Sequence, residues 1–293
     1  MGEIEQSLIT VFQSGLRVAA TRQCIDANIE KELMRGFLLN VTVENSNSIR
    51  PYIAPGNVIG VIGSNFDHIM LSKEILFDIS GFTNAAGMNN VTDVQGKHVS
   101  YRLNNYILPP MYSLTHTKST ILRHILQSAK DVNEKAANEE FFIGEVYDDK
   151  IVTFDLKNEE EVSARSAIFS MKELGNEVEY DNFNIHLPER VGLDVGRTFK
   201  IGKDVVNLRR TWQEDNGTTY EMDIAALMRL PGAPGSLDEL FDVGDNIIID
   251  DEIIGGKANR RIISYNRNLI DPTQDKITLG VFVRDSSTNA INR

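Results

Sequence analysis

Val243-Gly-Asp-Asn-Ile-Ile-Ile-Asp-Asp251, then Arg261-Ile-Ile-Ser-Tyr-Asn-Arg-Asn-Leu-Ile-Asp-Pro272 and Asp275-Lys-Ile-Thr-Leu-Gly280, is the stretch on which the fold turns. It holds three short runs of β-branched and apolar residues, Asn246–Asp250, Arg260–Tyr265 and Lys276–Val283. Glycine, aspartate and proline separate them, the punctuation expected between strands. Working outward, Arg197–Ile201, Val205–Thr211 and Thr218–Leu227 have the same texture, so a β zone runs from about Arg190 to Val283. Within it Pro231-Gly-Ala-Pro-Gly-Ser236 must be a loop, because two prolines and two glycines cannot sit in a ladder.

Toward the N-terminus a second β zone spans about Ser7 to Leu108. Leu8–Phe12, Leu16–Ala20, Phe37–Val43, Val58–Ile62, Ile69–Leu71 and Ile75–Ile79 read as strands. Ser14-Gly15, Asn45–Asn47, Pro55-Gly56-Asn57 and Gly63-Ser64-Asn65 read as the turns between them. Many short strands at this spacing suggest a sandwich or a barrel. Between the two β zones the period changes. Ile121, Leu122, Ile125, Leu126, Ala129 and Val132 fall at helical spacing behind Thr117, a plausible N-cap. Ala164, Ala167, Ile168, Met171 and Leu174 do the same, with Gly175 placed to end the helix. Phe141–Leu156 reads as a hairpin with Asp148-Asp149 at its tip, and Glu177–Leu187 as a second around Asp181-Asn182. This middle part is a small α/β domain, and the chain as a whole is mainly β.

The chain has 293 residues, 41% hydrophobic and 25% charged, which suits several globular domains rather than one. No stretch of about 18 apolar residues is present, so no membrane insertion is expected. The N-terminus, with Glu3 and Glu5, does not read as a signal peptide. Cys24 is the one cysteine. It excludes an internal disulfide or a cysteine metal cage, and in a strand-like stretch it reads as a buried, inert thiol. The formal net charge of −12 argues against a nucleic-acid binder, which must neutralise phosphates.

A search for chemistry assigns no catalytic, cofactor-binding or metal-ligating residue. Gly196–Lys203 has five residues between its glycines, and Asp204 stands where a phosphate loop needs Ser or Thr. Gly60-Val-Ile-Gly63 is too short for a dinucleotide fingerprint. Both read as turn glycines. His116 and His124 flank the first helix eight residues apart, about two turns, too far to share a metal. His68, His98 and His186 join no metal pattern. Asp242, Asp245, Asp250, Asp251 and Glu252 lack the ligand spacing of a calcium loop and read as strand-edge charges that block edge pairing. Trp212 is the one tryptophan, and no aromatic cluster forms a sugar-stacking platform. Asn40, Asn90 and Asn216 begin Asn-x-Thr sequons that read as chance.

Three sets of residues carry a resemblance. The C-terminal stretch quoted first is similar to the C-terminal part of siphophage tail-tip hub proteins, also called tail-associated or prophage endopeptidase-tail proteins. Phe183-Asn-Ile-His-Leu, Arg190-Val-Gly192, Ile201-Gly-Lys-Asp-Val-Val-Asn-Leu208 and Asn216-Gly-Thr-Thr219 resemble the middle of the same family. Asn28-Ile-Glu-Lys-Glu-Leu33 with Leu38–Val43 resembles its N-terminal strands. The resemblance implies a first β-barrel-like hub domain over 1–110, an α/β domain over 111–190 and a second β-barrel-like hub domain over 191–293.

It further implies a structural hub of the tail tip or baseplate, a homotrimer that closes the tail tube, adapts a sixfold tube to a threefold tip and lets DNA leave. Its partners would be distal tail and tail-tube proteins, the tape measure protein and tip or receptor-binding proteins. Genomic DNA would pass the channel without specific binding, and three chains of −12 each would bring together −36 around it. Localisation would be the virion tail tip after assembly in the host cytoplasm. Larger members of the family carry a C-terminal extension with peptidoglycan-cleaving or host-binding modules, and this chain is expected to lack it and so not to be an enzyme. No cofactor is implied. The exposed faces of the two β zones are expected to form the subunit contacts. A cell-wall-degrading tail enzyme and a host-receptor-binding module, with Pro231–Ser236 as its exposed loop, are the rival readings. The spike hub of a bacterial contractile injection system is a more distant relative of the same fold logic.

Overall fold

A computed structural model of the chain describes residues 8–63, 70–87, 90–110, 113–156, 161–213, 217–224, 241–251 and 256–280. The fold is mainly β. The first β region supplies β1 (Ile9–Gln13), β2 (Leu16–Thr21), β3 (Asp26–Glu32), β4 (Phe37–Glu44), β5 (Val58–Gly63), β6 (Met70–Asn84) and β7 (Val91–His98). The middle supplies β8 (Ile107–Leu108), β9 (Ser113–Thr117), α1 (Lys118–Ser128), β10 (Phe142–Val146), β11 (Ile151–Asp155), β12 (Val162–Ser163), α2 (Ala164–Ser170), β13 (Glu179–Asp181) and β14 (Asn184–Leu187). The last region supplies β15 (Asp194–Lys200), β16 (Val205–Gln213), β17 (Gly217–Ile224), β18 (Asn246–Asp251), β19 (Gly256–Asn268) and β20 (Lys276–Gly280).

The two β regions share one sheet, in the order β16-β17-β20-β19-β3-β4-β7-β6-β5-β1-β2, with β15 and β18 branching from β19. The 13-residue β19 makes this possible. β20 lies along one of its edges, while β18 and β3 follow each other along the opposite edge. The change of partner falls at Ile262 and Ile263, whose carbonyls accept from Gly244 N and Leu33 N. Every inter-strand pairing in this sheet except β15–β18 is antiparallel.

Alternation sorts the faces of the sheet. In β3, Ala27 and Ile29 are buried while Asn28 and Glu30 point outward, and in β4 Leu39, Val41 and Val43 are buried. One continuous hydrophobic cluster runs through both β regions, from Ile9, Leu39 and Phe77 to Phe199, Ile247, Ile262 and Leu279. A second cluster lies in the middle domain, where Ile121, Leu122 and Ile125 of α1 meet Ala164 and Ile168 of α2, Phe141 and Ile185. Each helix starts as its residues predict. The Thr117 side chain accepts from Thr120 N at 3.4 Å and that of Ser163 from Ser166 N at 3.2 Å. Gly175 ends the second helical segment at φ +89.

Several sequence expectations change. Phe141–Leu156 is not a hairpin: β10 pairs in parallel with β14, and β11 pairs with β9, so its two strands join different sheets. The Glu177–Leu187 hairpin forms as β13–β14. Val132 lies beyond the end of α1 and is 94% exposed, so the helical stripe stops at Ala129. Ile69–Leu71 and Ile75–Ile79 fall on one long strand, β6, with Ile69 itself outside the described residues. Gly60 and Gly63 are strand residues rather than turn residues. A Cβ on Gly60 would stand 2.4 Å from the Thr10 hydroxyl and 2.3 Å from the Glu74 carboxylate, and these two groups occupy its place. Gly196 sits within β15 near its register shift, while Gly202 does lie in a turn. Pro231–Ser236 lies outside the described residues. No helix among the described residues is long and apolar enough to cross a membrane.

Candidate functional site

Arg190-Val-Gly192 leads from the middle domain into β15, and Val243-Gly-Asp245 leads into β18. The fold sets these two segments against each other. A Cβ on Gly192 (φ +79) would lie 2.2 Å from the Gly244 carbonyl carbon, and one on Gly244 (φ +93) would lie 2.3 Å from the Val191 oxygen. Only glycine permits both the left-handed backbone and this approach. Asp245 stitches the segments together, its two oxygens accepting from Leu193 N at 2.7 Å and Asp242 N at 2.8 Å.

Glu177, from the middle domain, enters the same joint and is 2% exposed. Its carboxylate accepts from Arg261 Nη1 at 2.6 Å and Nη2 at 2.5 Å, and from Val191 N at 2.7 Å. The Arg261 guanidinium also donates to the Val191 and Gly244 carbonyls, at 2.7 and 3.0 Å. The planar fork of arginine suits this paired geometry, and every oxygen of the buried carboxylate is satisfied. The middle domain is thereby locked to β19.

Four further ties fix the first β region. Lys31 of β3 donates to both oxygens of Asp242, at 2.7 and 2.9 Å. Burial opposes the Lys31 charge, but the Asp242 carboxylate outweighs it and raises the pKa above the ordinary lysine range. The Asn182 side chain donates to Glu74 O at 2.8 Å and accepts from Leu76 N at 2.9 Å. It thus caps the part of β6 that lies ahead of the β7 pairing, which begins at Phe77. Lys73 adds an ion pair to Asp181 at 2.6 Å. Arg165 of α2 donates to Arg35 O at 2.6 Å and lies 4.0 Å from the Tyr101 ring centroid. The middle domain therefore bridges both β regions, and the ties hold them in one orientation.

The residues weighed for chemistry serve structure. Asp242 and Asp245 belong to the joint, and Asp250 lies on β18, 3.8 Å from Lys200. β18 pairs on both sides, with β15 and β19, so these acids do not guard a sheet edge. Glu252 lies outside the described residues. Asp204 accepts from Lys200 N at 3.1 Å and closes the turn at Gly202. Cys24 lies in the connection between β2 and β3, not in a strand, and is half-buried. Burial, helped by the Asp26 charge, pushes its thiol up to about 12, so the reactive thiolate is disfavoured.

His116 and His124 are close after all. Their rings stack with centroids 6.1 Å apart, because His116 lies on β9, which folds back along α1, and not on the helix. His98 is buried and stacks on Phe37 at 4.6 Å. Burial, with the Lys31 and Arg165 charges nearby, lowers it to about 3. His186 Nδ1 accepts from Glu145 N at 3.0 Å. His68 lies outside the described residues. No group of three or more His, Cys, Asp or Glu side chains among the described residues is arranged to hold a metal ion.

Sequence reading singled out Arg190-Val-Gly192 and Val243–Asp251 but not their meeting, and it placed Glu177 and Asn182 in a hairpin without foreseeing their contacts with Arg261 and β6. No local signal marks Glu177, since its partner Arg261 is 84 residues away.

No model of a protein family matches the sequence, and no curated protein matches it. Solved structures do match the fold. The prophage tail protein gp18 of Listeria monocytogenes aligns with a TM-score of 0.66 at 11% identity, over 95% of this chain and 96% of that one. The 43 kDa tail protein of prophage MuSo2 from Shewanella oneidensis aligns with a TM-score of 0.67 at 11% identity, over 93% and 96%. An Escherichia coli component of the type VI secretion system, described as structurally similar to the phage T4 tail proteins gp27 and gp5, aligns with a TM-score of 0.57 at 11% identity, over 94% and 77%. Across both β regions and the domain between them, this chain has the fold of prophage tail proteins.

Proposed function

We propose that this chain is the structural hub of a bacteriophage tail tip, a homotrimer that closes the tail tube, matches a sixfold tube to a threefold tip and opens for DNA. The observation that carries this reading is the fold likeness to prophage tail proteins, which extends over nearly the whole of both chains. The physical design agrees with it. Two β regions fused in one sheet and braced by a third domain make a stiff wall element, as a ring under mechanical load requires. The outward surface at the bridging strands is mostly polar, with Asn28, Asn40 and Asn266 beside the acids Glu30 and Asp223 and the single base Lys276. A surface of amides with few cations, on a chain of net charge −12, offers little for phosphates to bind, so DNA would pass it without sticking. In this role the chain contacts distal tail, tail-tube, tape measure and tip proteins, and it acts without catalysis. The three domains 1–110, 111–190 and 191–293 serve as two ring-forming hub units and a brace.

Light scattering on the purified protein tests the reading. A three-chain mass supports the hub. A single-chain mass at every concentration, together with clearing of host cell walls in a zymogram, would replace it with the hydrolase.

A further inference from the structure

We propose that the cleft where α2 and β13 meet the β3–β4 turn is a binding site for one small monovalent anion, of the size of chloride, held between the Arg165 guanidinium and the Tyr180 hydroxyl. The site goes beyond the hub reading and belongs to the single chain, so it stands or falls apart from assembly.

Two buried donors here have no acceptor. Arg165 is 8% exposed, and its Nε has no hydrogen-bond partner. The Tyr180 hydroxyl is buried and unpaired in the same way. A buried donor left bare costs stability, and native proteins rarely leave one so. The two residues line one cleft of about 40 Å³. Phe169 joins them, its ring 4.7 Å from the Arg165 guanidinium carbon and edge-on to Tyr180 at 5.8 Å. The volume admits a few water-sized particles and no bulky organic ligand.

Charge decides between water and an anion. Arg165 forms no ion pair among the described residues. Its other contacts are the Arg35 carbonyl at 2.6 Å and the rings of Tyr101 and Phe169. A buried cation without a counter-charge is costly. The other cations on the cleft are already matched, Lys31 by Asp242 and Arg35 by Glu32. Glu179 also lines the cleft, but it does not pair with Arg165, and burial raises its pKa and so disfavours its charge. Water would satisfy the two donors and leave the arginine uncompensated, whereas an anion answers both needs. The same charge is felt next door. Ser100 of the cleft bonds the His98 ring at 2.9 Å, and the Lys31 and Arg165 charges add to burial in keeping that ring neutral. A seated anion would fix Arg165 of the middle domain on the turn of the first β region, where it already holds Arg35 O.

The melting temperature of the full chain is followed as sodium chloride replaces sodium gluconate at constant ionic strength, gluconate being too large for the cleft. The net charge of −12 keeps the surface from gathering chloride, so a saturable response reports a local site. The expected result is a saturable rise, about 3 °C once chloride stands tenfold above its dissociation constant. Y180F should raise the half-saturating chloride concentration about tenfold, and R165M should abolish the response. Chloride NMR line broadening on the parent and Y180F reads the same site without R165M, should that variant fail to fold. Equal melting in chloride and gluconate means that water alone fills the cleft and overturns the site. A chloride response that Y180F leaves unchanged places the anion elsewhere and overturns it as well.

Discussion

Replacing Glu177 by alanine should loosen the joint that ties the middle domain to both β regions. The side chain is 2% exposed and receives three hydrogen bonds, two from Arg261 and one from Val191 N. At a separation of about 4 Å between charge centres and an effective dielectric of about 20, the pair is worth about 4 kcal/mol. Desolvation offsets much of that in the intact pair. Truncating one partner is different, since it leaves the arginine buried without its counter-charge, and such losses run at about 3–5 kcal/mol. For a chain of this size about 2 °C is lost per kcal/mol, so the melting temperature should fall by about 6–10 °C.

Scanning calorimetry on the parent, E177A, R261M and E177L/R261M gives the test. The double variant should recover much of the loss, because well-packed apolar groups can replace a buried pair without leaving a charge behind. The reasoning is refuted if E177A melts within about 1 °C of the parent, or if the double variant falls by the sum of the single ones.

Ile262 of β19 is fully buried and pairs with Leu279 of β20. Ile262→Asp places a carboxylate in the core of the shared sheet, and the loss should exceed about 4 kcal/mol; soluble, normally melting protein would show that the strand register is wrong. Asp275 accepts from Asn268 N at 2.8 Å, yet burial pushes its carboxyl up to about 7 despite Arg267 nearby. Its folded pKa lies above the unfolded value near 4, so its contribution is complete below about pH 4 and is lost as pH rises through 7, at up to about 1.4 kcal/mol per unit. Denaturant titrations across that window should show a shallower decline for D275N than for the parent, and parallel curves would sink the argument. His98 has the opposite sign. Its folded pKa of about 3 lies below the ordinary 6.5, so its contribution is present above pH 6.5 and is lost as pH falls toward 3. By NMR its ring signals should stay those of neutral imidazole from pH 8 down to 5, and a midpoint near 6.5 would contradict the burial.

The features legible in the sequence are those set by neighbours in the chain. The apolar runs of β1, β4 and β5, the stripe of α1 from Ile121 to Ala129, the caps at Thr117 and Gly175 and the Asp181-Asn182 turn depend on local backbone preference and side-chain period. They were readable for that reason. Choice of partner is another matter. Backbone groups pair with any strand, so nothing local tells β10 and β11 to part for different sheets, or β19 to take β18 and β3 along one edge. The closeness of His116 and His124 follows from the same cause, since a helical reading of the interval placed one of them on the wrong element. The joint is the clearest case. Arg190-Val-Gly192 and Val243-Gly-Asp245 stood out as residues, but their glycines are required by an approach between segments some fifty residues apart, as their mutual contact shows. Glu177 became a buried partner of Arg261 only because packing removed water from both, and that condition is set by the tertiary structure alone.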